Sequence, residues 1–182
     1  MMTGGNALLD AKLILSRAAI KEGMVVADLG CGASGHFVFP SAKIVGKKGI
    51  VYAVDILKTI LQTIDKRAKL ENLQNVRTVW SDLEIFGATK IEAGSLDTAY
   101  LINTLYQSKK RMEIIREAAR LLKKSGKLIV VEWKSTASPF GPSVDDRVDK
   151  ELLMKGSAKL GFNIEDEFEA GEYHYGAIFI KA

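Results

Sequence analysis

Cysteine is almost absent from this chain of 182 residues, because Cys31 is the only one. A single cysteine excludes an internal disulfide framework and any zinc or arsenic site that needs several cysteines. Long apolar runs are absent too, and no stretch approaches the roughly 20 residues that a membrane-spanning helix requires. The first residues also lack the basic and apolar regions of a signal peptide. A cytoplasmic location without membrane insertion is therefore expected.

Charge of one sign is not in excess either. The chain has 26 lysines and arginines against 22 aspartates and glutamates, a net charge of +4 that is spread along its length. This balance permits nucleic acid as a partner without indicating it. Internal repeats, low-complexity tracts and linkers are also absent, and 47% of the residues are hydrophobic. A single domain over residues 1–182 is expected, long enough to bury a substantial core.

One stretch, residues 25–35 with the sequence VVADLGCGASG, joins an apolar run to closely spaced glycines. The run is typical of a strand that is buried on both faces of a sheet. The glycines follow the pattern G-x-G-x-x-G, which lets the chain turn sharply and bring backbone N–H groups close to a ligand. In a doubly wound fold, such a turn borders a crevice at the carboxyl ends of the strands.

Strand patterns alternate with helical patterns over most of the chain. Strands are predicted at 24–29, 50–55, 76–80, 96–102, 128–131, 162–168 and 175–180, and helices at 7–21, 37–44, 57–70, 108–124 and 143–161. A capping box of Ser143 and Asp146 is expected to open the last helix. The alternation favours a doubly wound, mostly parallel α/β sheet. No helix separates the last two strands, so one of them must run antiparallel to its neighbour.

Aspartates occur at or near the ends of three predicted strands: Asp28, Asp55 and Asp82. Since parallel strands end at one edge of the sheet, these carboxylates are expected to border the same crevice. Asp55 follows Gly35 by twenty residues, a spacing at which an acidic side chain accepts hydrogen bonds from ribose hydroxyls. The alternative is that each aspartate only caps the helix after it. Three aspartates at strand ends beside a glycine turn favour a ligand-binding site over three separate helix caps.

Several segments resemble the class I S-adenosylmethionine-dependent methyltransferases. They are DLGCGASG at 28–35, VYAVD at 51–55, WSD at 80–82, LINTLYQ at 101–107 and LLKKSGKLIV at 121–130. The resemblance runs from about residue 20 to the end of the chain, and it is strongest to small single-domain members similar to quinone-biosynthesis methyltransferases. It implies a Rossmann-like, seven-stranded sheet with a reversed C-terminal strand pair. It also implies S-adenosylmethionine as cofactor and S-adenosylhomocysteine as product.

The same resemblance implies a cofactor-binding set: Asp28, Gly30, Gly32, Gly35, Asp55, Ile56, Asp82, Leu83 and Asn103. The glycines would cradle the methionine part of the cofactor, and Asp28 would hold its amino group. Asp55 would bind the ribose hydroxyls, while Ile56 and Leu83 would contact the adenine ring. Asp82 would accept a hydrogen bond from the adenine amino group. Asn103 and the residues up to position 106 would flank the sulfonium.

Charge separates this interpretation from its rivals. Carboxylates suit a ligand that carries a sulfonium and an ammonium group, whereas Asp28 would repel the two phosphates of a dinucleotide. A nucleotide-dependent Rossmann oxidoreductase is therefore the weaker alternative. Two others are a catalytically silent protein that binds S-adenosylmethionine, and a plain α/β domain whose aspartates are helix caps.

Methyl transfer from a sulfonium is an in-line displacement, so alignment is the main task, and a general base is needed only for a protonated acceptor. The catalytic candidates are Asn103, Tyr106 and His174, of which His174 has an ordinary pKa suited to a base. Other candidates near the acceptor are Glu132, Lys134, Tyr173 and Tyr175. For His174 and Tyr106, simple packing is the alternative role. No metal is expected.

The sequence does not identify the methyl acceptor, but it limits the ways in which the crevice could be covered or left open to that acceptor. Only about twenty residues precede the first strand, so the segment 1–22, expected to hold a helix, could form a partial lid with the loop 134–143. A second subunit in a homodimer could supply the cover instead. A third alternative is an open crevice for a protein or RNA. The sequence NPPY is absent at Asn103, which disfavours a DNA or glutamine N-methyltransferase.

Overall fold

The computed structural model describes residues 8–136 and 138–182. The strands are β1 (Val25–Leu29), β2 (Ile50–Asp55), β3 (Val76–Trp80), β4 (Leu96–Ile102), β5 (Leu122–Trp133), β6 (Phe162–Gly171) and β7 (His174–Lys181). The helices are α1 (Ala11–Arg17), α2 (Val38–Val45), α3 (Lys58–Leu70), α4 (Arg111–Leu121) and α5 (Lys150–Lys159), with short 3-10 turns at Leu105–Gln107 and Val144–Asp146.

The seven strands form one sheet in the order β3-β2-β1-β4-β5-β7-β6. The strands from β3 to β5 are parallel, and β7 runs antiparallel to both β5 and β6. The predicted doubly wound α/β fold with a closing strand pair is confirmed. The chain reverses its direction of winding between β1 and β4, and in such sheets the ligand crevice lies at the carboxyl ends of the strands beside that point.

Helices cover both faces of the sheet because adjacent residues of each buried strand point to opposite sides. Val26 and Ile129 face the layer of α1, α2 and α3, whereas Ala27 and Leu128 face the layer of α4 and α5. The strands are apolar on both sides for this reason. Within the described ranges, no helix is long and apolar enough to cross a membrane.

The N-terminal helix is shorter than the predicted span of 7–21. It begins after Asp10, whose carboxylate accepts a hydrogen bond from the backbone N–H of Leu13, and it ends at Arg17. Ala19 then takes a left-handed backbone conformation with φ of 56°, which an α-helix cannot continue through. Residues 1–7 of the N-terminal segment 1–22 lie outside the described part of the chain.

Two other predicted helix boundaries are wrong. The helix expected to reach Lys124 ends at Leu121, and Leu122 already belongs to β5. The helix expected to open at Ser143 begins at Lys150, where the Asp149 carboxylate accepts from the Leu152 N–H at 2.8 Å. In both places, residues that are typical of a helix end lie a few positions away from the end that the structure shows.

Candidate functional site

A crevice of about 330 Å³ opens at the carboxyl edge of the sheet, as the winding predicts. Four segments border it: the glycine turn after β1, the end of β2 at 55–57, the segment 81–84 after β3 and the segment 104–108 after β4. Its volume is within the range of small-molecule sites. Its lining side chains include Asp55 at the end of β2 and Asp82 and Glu84 after β3, and no lysine, arginine or histidine is among the described lining residues.

The glycine turn contributes two of its three predicted glycines to the crevice. Gly30 has φ of 88°, and a side chain there would come within 2.8 Å of Thr104. Gly32 has φ of 62° and faces open space, so its backbone is accessible to a ligand. Gly35 does not line the crevice; a side chain there would meet the ring of Phe39 at 2.4 Å.

Asp55 connects the end of β2 to the glycine turn. One carboxylate oxygen accepts from the Gly32 N–H at 3.2 Å, and the other accepts from the Leu57 N–H at 2.9 Å. The first bond fixes the turn and the second shapes the entry to α3. Asp55 does not cap α3, because the N-cap residue of that helix is Leu57 and no side chain makes a capping bond there. Asp55 does line the crevice.

Asp28 lies deeper, within β1, and only 2% of its surface is exposed. Its Oδ2 atom has no hydrogen-bond partner among residues 8–136 and 138–182. Burial, with a smaller contribution from the charge of Asp55, raises the pKa of Asp28 to about 7. A buried carboxylate without a partner is costly for the fold, and a cation brought by a ligand would compensate for it.

The segment after β3 provides a mixed apolar and acidic wall. Leu83 is buried and lines the crevice, while Ile56 on the opposite side is half exposed. Asp82 Oδ1 accepts from the Glu84 N–H at 2.9 Å, which tightens this segment. This part of the crevice therefore has apolar side chains beside carboxylates.

A buried carboxylate on α4, that of Glu117, binds the loop that follows the segment 81–84. Glu117 accepts from the backbone N–H groups of Gly87 and Thr89 at 2.8 and 3.1 Å, and Arg120 donates to both of its oxygens. Burial alone would raise the pKa of Glu117, but the bonds from Arg120 and the two N–H groups outweigh it and lower the pKa to about 2.

The segment after β4 forms the remaining wall. Asn103 has φ of 53°, and its backbone N–H donates to the Val131 carbonyl at 2.8 Å. Thr104 Oγ1 donates to the Leu29 carbonyl at 3.1 Å and so joins this wall to β1. Ser108 Oγ donates to Glu84 at 2.6 Å and joins it to the segment after β3. Glu84, Gln107 and Ser108 were not singled out from the sequence, because no local pattern marks them.

The catalytic candidates are not all brought together. Asn103 and Tyr106 adjoin the crevice wall, and burial, followed by the charge of Glu132, raises the pKa of Tyr106. His174 has no exposed surface and lies against Trp133, with ring centroids 4.1 Å apart. Burial, then the charges of Lys134 and Arg147, lowers its pKa to about 4. His174 does not line the crevice, and its role as a base stays a prediction.

The other acceptor-side candidates have structural contacts of their own. Tyr175 donates its hydroxyl to the Val148 carbonyl at 3.2 Å, and the Lys134 ammonium donates to the Glu172 carbonyl at 2.9 Å. The ring of Tyr173 meets Phe140 edge to face. No group of three His, Cys, Asp or Glu side chains within the described ranges could hold a metal ion.

This fold is that of the S-adenosylmethionine-dependent methyltransferases. The structure of such an enzyme from Aquifex aeolicus matches with a TM-score of 0.86 at 23% identity, covering 96% of this chain and 91% of that one. A methyltransferase from Pyrococcus furiosus matches with a TM-score of 0.68 at 18% identity, covering 94% and 81%.

The chain belongs to the methyltransferase domain family, whose model matches residues 20–171. It is 26% identical over 156 residues to the ubiquinone/menaquinone biosynthesis C-methyltransferase UbiE of Laribacter hongkongensis, covering 86% of this chain and 62% of that protein. It is 25% identical to the demethylmenaquinone methyltransferase of Lactococcus lactis, covering 69% and 48%. The chain thus spans about half to three fifths of these relatives. The predicted family is confirmed, and it implies S-adenosylmethionine as cofactor.

Proposed function

We propose that this chain transfers the methyl group of S-adenosylmethionine to an acceptor at the edge of the crevice near Asn103 and Tyr106. The observation that carries the proposal is the charge of the crevice. Three carboxylates and no basic side chain are among its described lining residues. In addition, Asp28, two residues before the glycine turn, has a buried oxygen without a hydrogen-bond partner in the described ranges. Such a site favours a cationic ligand and disfavours a dinucleotide, which weakens the oxidoreductase alternative.

The proposed roles follow the walls of the crevice. The N–H groups of the glycine turn and the Asp28 carboxylate bind the two ends of the amino acid part, and Asp55 binds the ribose. Ile56, Leu83 and Asp82 hold the adenine. When bound, the cofactor supplies an activated methyl group, and the protein accelerates its transfer by alignment.

The acceptor is proposed to be carbon on an electron-rich ring. The relatives named above are called C-methyltransferases or demethylmenaquinone methyltransferases. Methylation of a ring carbon replaces its hydrogen, so a proton must leave. Tyr106 and His174 are the proposed bases that take it up, although the lowered pKa of His174 makes it a weak one.

Calorimetric titration tests the cofactor site. S-adenosylmethionine and S-adenosylhomocysteine are each titrated into the wild type, Asp55→Asn and the control Asp145→Ala, in which an exposed aspartate without a described contact is removed. Weaker bonds to the ribose should lower affinity in Asp55→Asn by about 10- to 100-fold, while the control stays unchanged. NAD(H) is titrated in parallel, and binding of NAD(H) alone would overturn the proposal.

A homodimer and a cytoplasmic location are also part of the proposal. Apolar side chains that suit a subunit interface flank the segment after β5: Phe140, Val144 and Leu152 are about half exposed or more. Light scattering after size-exclusion chromatography should give twice the chain mass. A monomer mass at all concentrations would contradict the dimer, and cell fractionation tests the location.

A further inference from the structure

Glu132, near the end of β5, has a buried carboxylate that does not line the crevice. Its Oε1 atom accepts from the Leu105 N–H at 2.6 Å. The backbone N–H groups of Thr104 and Tyr106 are close enough to this carboxylate to lower its pKa. Its Oε2 atom has no partner in the described part of the chain.

These N–H groups begin the Leu105–Gln107 turn. The first N–H groups of any helical turn lack partners within the turn and need an acceptor from elsewhere. Thr104 occupies the capping position but makes no capping bond through its side chain. Glu132 supplies the acceptor from the neighbouring strand instead, and it is placed there because Val131 pairs with Ile102.

The turn held in this way forms part of the crevice wall. Thr104, Gln107 and Ser108 line the crevice, and Thr104 lies where a side chain at Gly30 would clash. Gln107 Nε2 also donates to the Asn103 carbonyl at 2.8 Å, which ties the turn to the end of β4. Displacement of the turn would therefore change both the cofactor wall and the position of Asn103.

Charge distinguishes this contact from an ordinary cap. Hydrogen bonds from N–H groups to an ionised carboxylate are about twice as strong as those to a neutral oxygen. The groups that face Glu132 are Tyr106 from the turn, Arg111 from the start of α4 and Tyr175 from β7. Burial raises the pKa of Glu132 to about 8, although the N–H groups and Arg111 act in the opposite direction. The carboxylate thus changes its charge within the pH range in which enzymes commonly work.

We propose that Glu132 is a positioning residue for methyl transfer. Its ionised carboxylate holds the Leu105–Gln107 turn against the bound cofactor. The inference rests on the proposed function, since it assumes that S-adenosylmethionine occupies the crevice.

Calorimetric titration with S-adenosylhomocysteine between pH 6.5 and 9 tests it on the wild type, Glu132→Gln and Glu165→Gln. Glu165 is on β6 and provides the same substitution far from the crevice. We expect Glu132→Gln to lower affinity about tenfold at pH 9 and much less at pH 6.5, where Glu132 itself is neutral. Asp28 is common to these variants, so its titration cancels in the comparison.

Equal affinity of Glu132→Gln and wild type at every pH would overturn the inference and leave the proposed function standing. A loss of the same size at every pH would also overturn it, because it would show a packing effect without a charge effect. No binding by the wild type would overturn the proposed function and the inference with it. If Glu132→Gln does not fold, the Asp28→Asn variant decides: affinity that rises from pH 7 to 9 supports the inference, and a flat profile overturns it.

Discussion

At the scale of single residues, Asp28 is a buried carboxylate that weakens the fold. The pKa of Asp28 is raised in the folded state, so the folded protein holds a proton that the unfolded chain has lost between the ordinary range and about pH 7. Stability due to this group therefore falls as the pH rises through that interval. This cost is expected where a side chain is arranged for a ligand instead of for the fold.

Asp28→Asn should raise the free energy of unfolding by about 1–3 kcal/mol at pH 8 and change it little at pH 4, because it removes a charge only where that charge exists. The same variant should bind S-adenosylmethionine more weakly. Urea unfolding at the two pH values and calorimetric titration measure both effects. Lower stability at pH 8, or unchanged binding, would contradict this role of Asp28.

His174 has the opposite pH dependence. Its pKa is lowered to about 4, so the unfolded chain takes up a proton before the folded one as the pH falls. Stability from this group is present above the ordinary pKa of histidine and is lost between there and about pH 4. His174→Gln should therefore flatten the loss of stability from pH 6.5 to 4 by about 1–3 kcal/mol. An unchanged slope in urea unfolding would show that the imidazole titrates normally.

At the scale of elements, loops around the crevice are held by carboxylates from neighbouring elements. Glu117 on α4 binds the loop at 87–89 and has no exposed surface. Glu117→Gln should destabilise the fold by about 2–4 kcal/mol, because it leaves buried donors poorly paired. Glu113→Gln, on the same helix and paired with Arg116 at the surface, should change stability by less than about 1 kcal/mol. Equal effects of the two variants in urea unfolding would show that Glu117 does not stabilise the loop at 87–89.

The start of α5 shows how an element boundary can be misplaced. Ser143 and Asp146 have the composition of a capping box, but their side chains bond to each other at 2.9 Å in a short 3-10 turn. Asp149→Ala should therefore cost about 1 kcal/mol of stability. Ser143→Ala should cost less than about 0.5 kcal/mol. A larger loss in Ser143→Ala, measured by urea unfolding, would restore the boundary expected from the sequence.

At the scale of the whole molecule, the single sheet predicts that the chain unfolds as one unit. Calorimetry should show one transition. A ligand at 100 times its dissociation constant adds about 2.7 kcal/mol of stability, which raises Tm by about 5–10 °C for a chain of this size. S-adenosylhomocysteine should produce this shift in the wild type and a smaller one in Asp55→Asn. Two separate transitions would contradict the single domain expected over residues 1–182.

The fold could be predicted because it depends on features within contiguous segments. The bounds of β3 and β4 agree with the predicted strands, and the glycine turn follows β1 as expected. Parallel strands all end at one edge, so the strand-end aspartates also pointed to the right edge of the sheet. Helix ends were less accurate, because α4 gives way directly to β5 and because a cap depends on geometry as well as composition.

The sequence by itself thus determined the fold class, the family and the edge of the sheet at which the crevice lies. Only the tertiary structure decided which side chains line that crevice and which pack elsewhere. It placed Gly35 against Phe39 and His174 against Trp133, and it brought Glu132 to the turn at 105–107. The physical reason is that hydrophobic period and turn chemistry are local, whereas such contacts depend on the register between strands far apart in the chain.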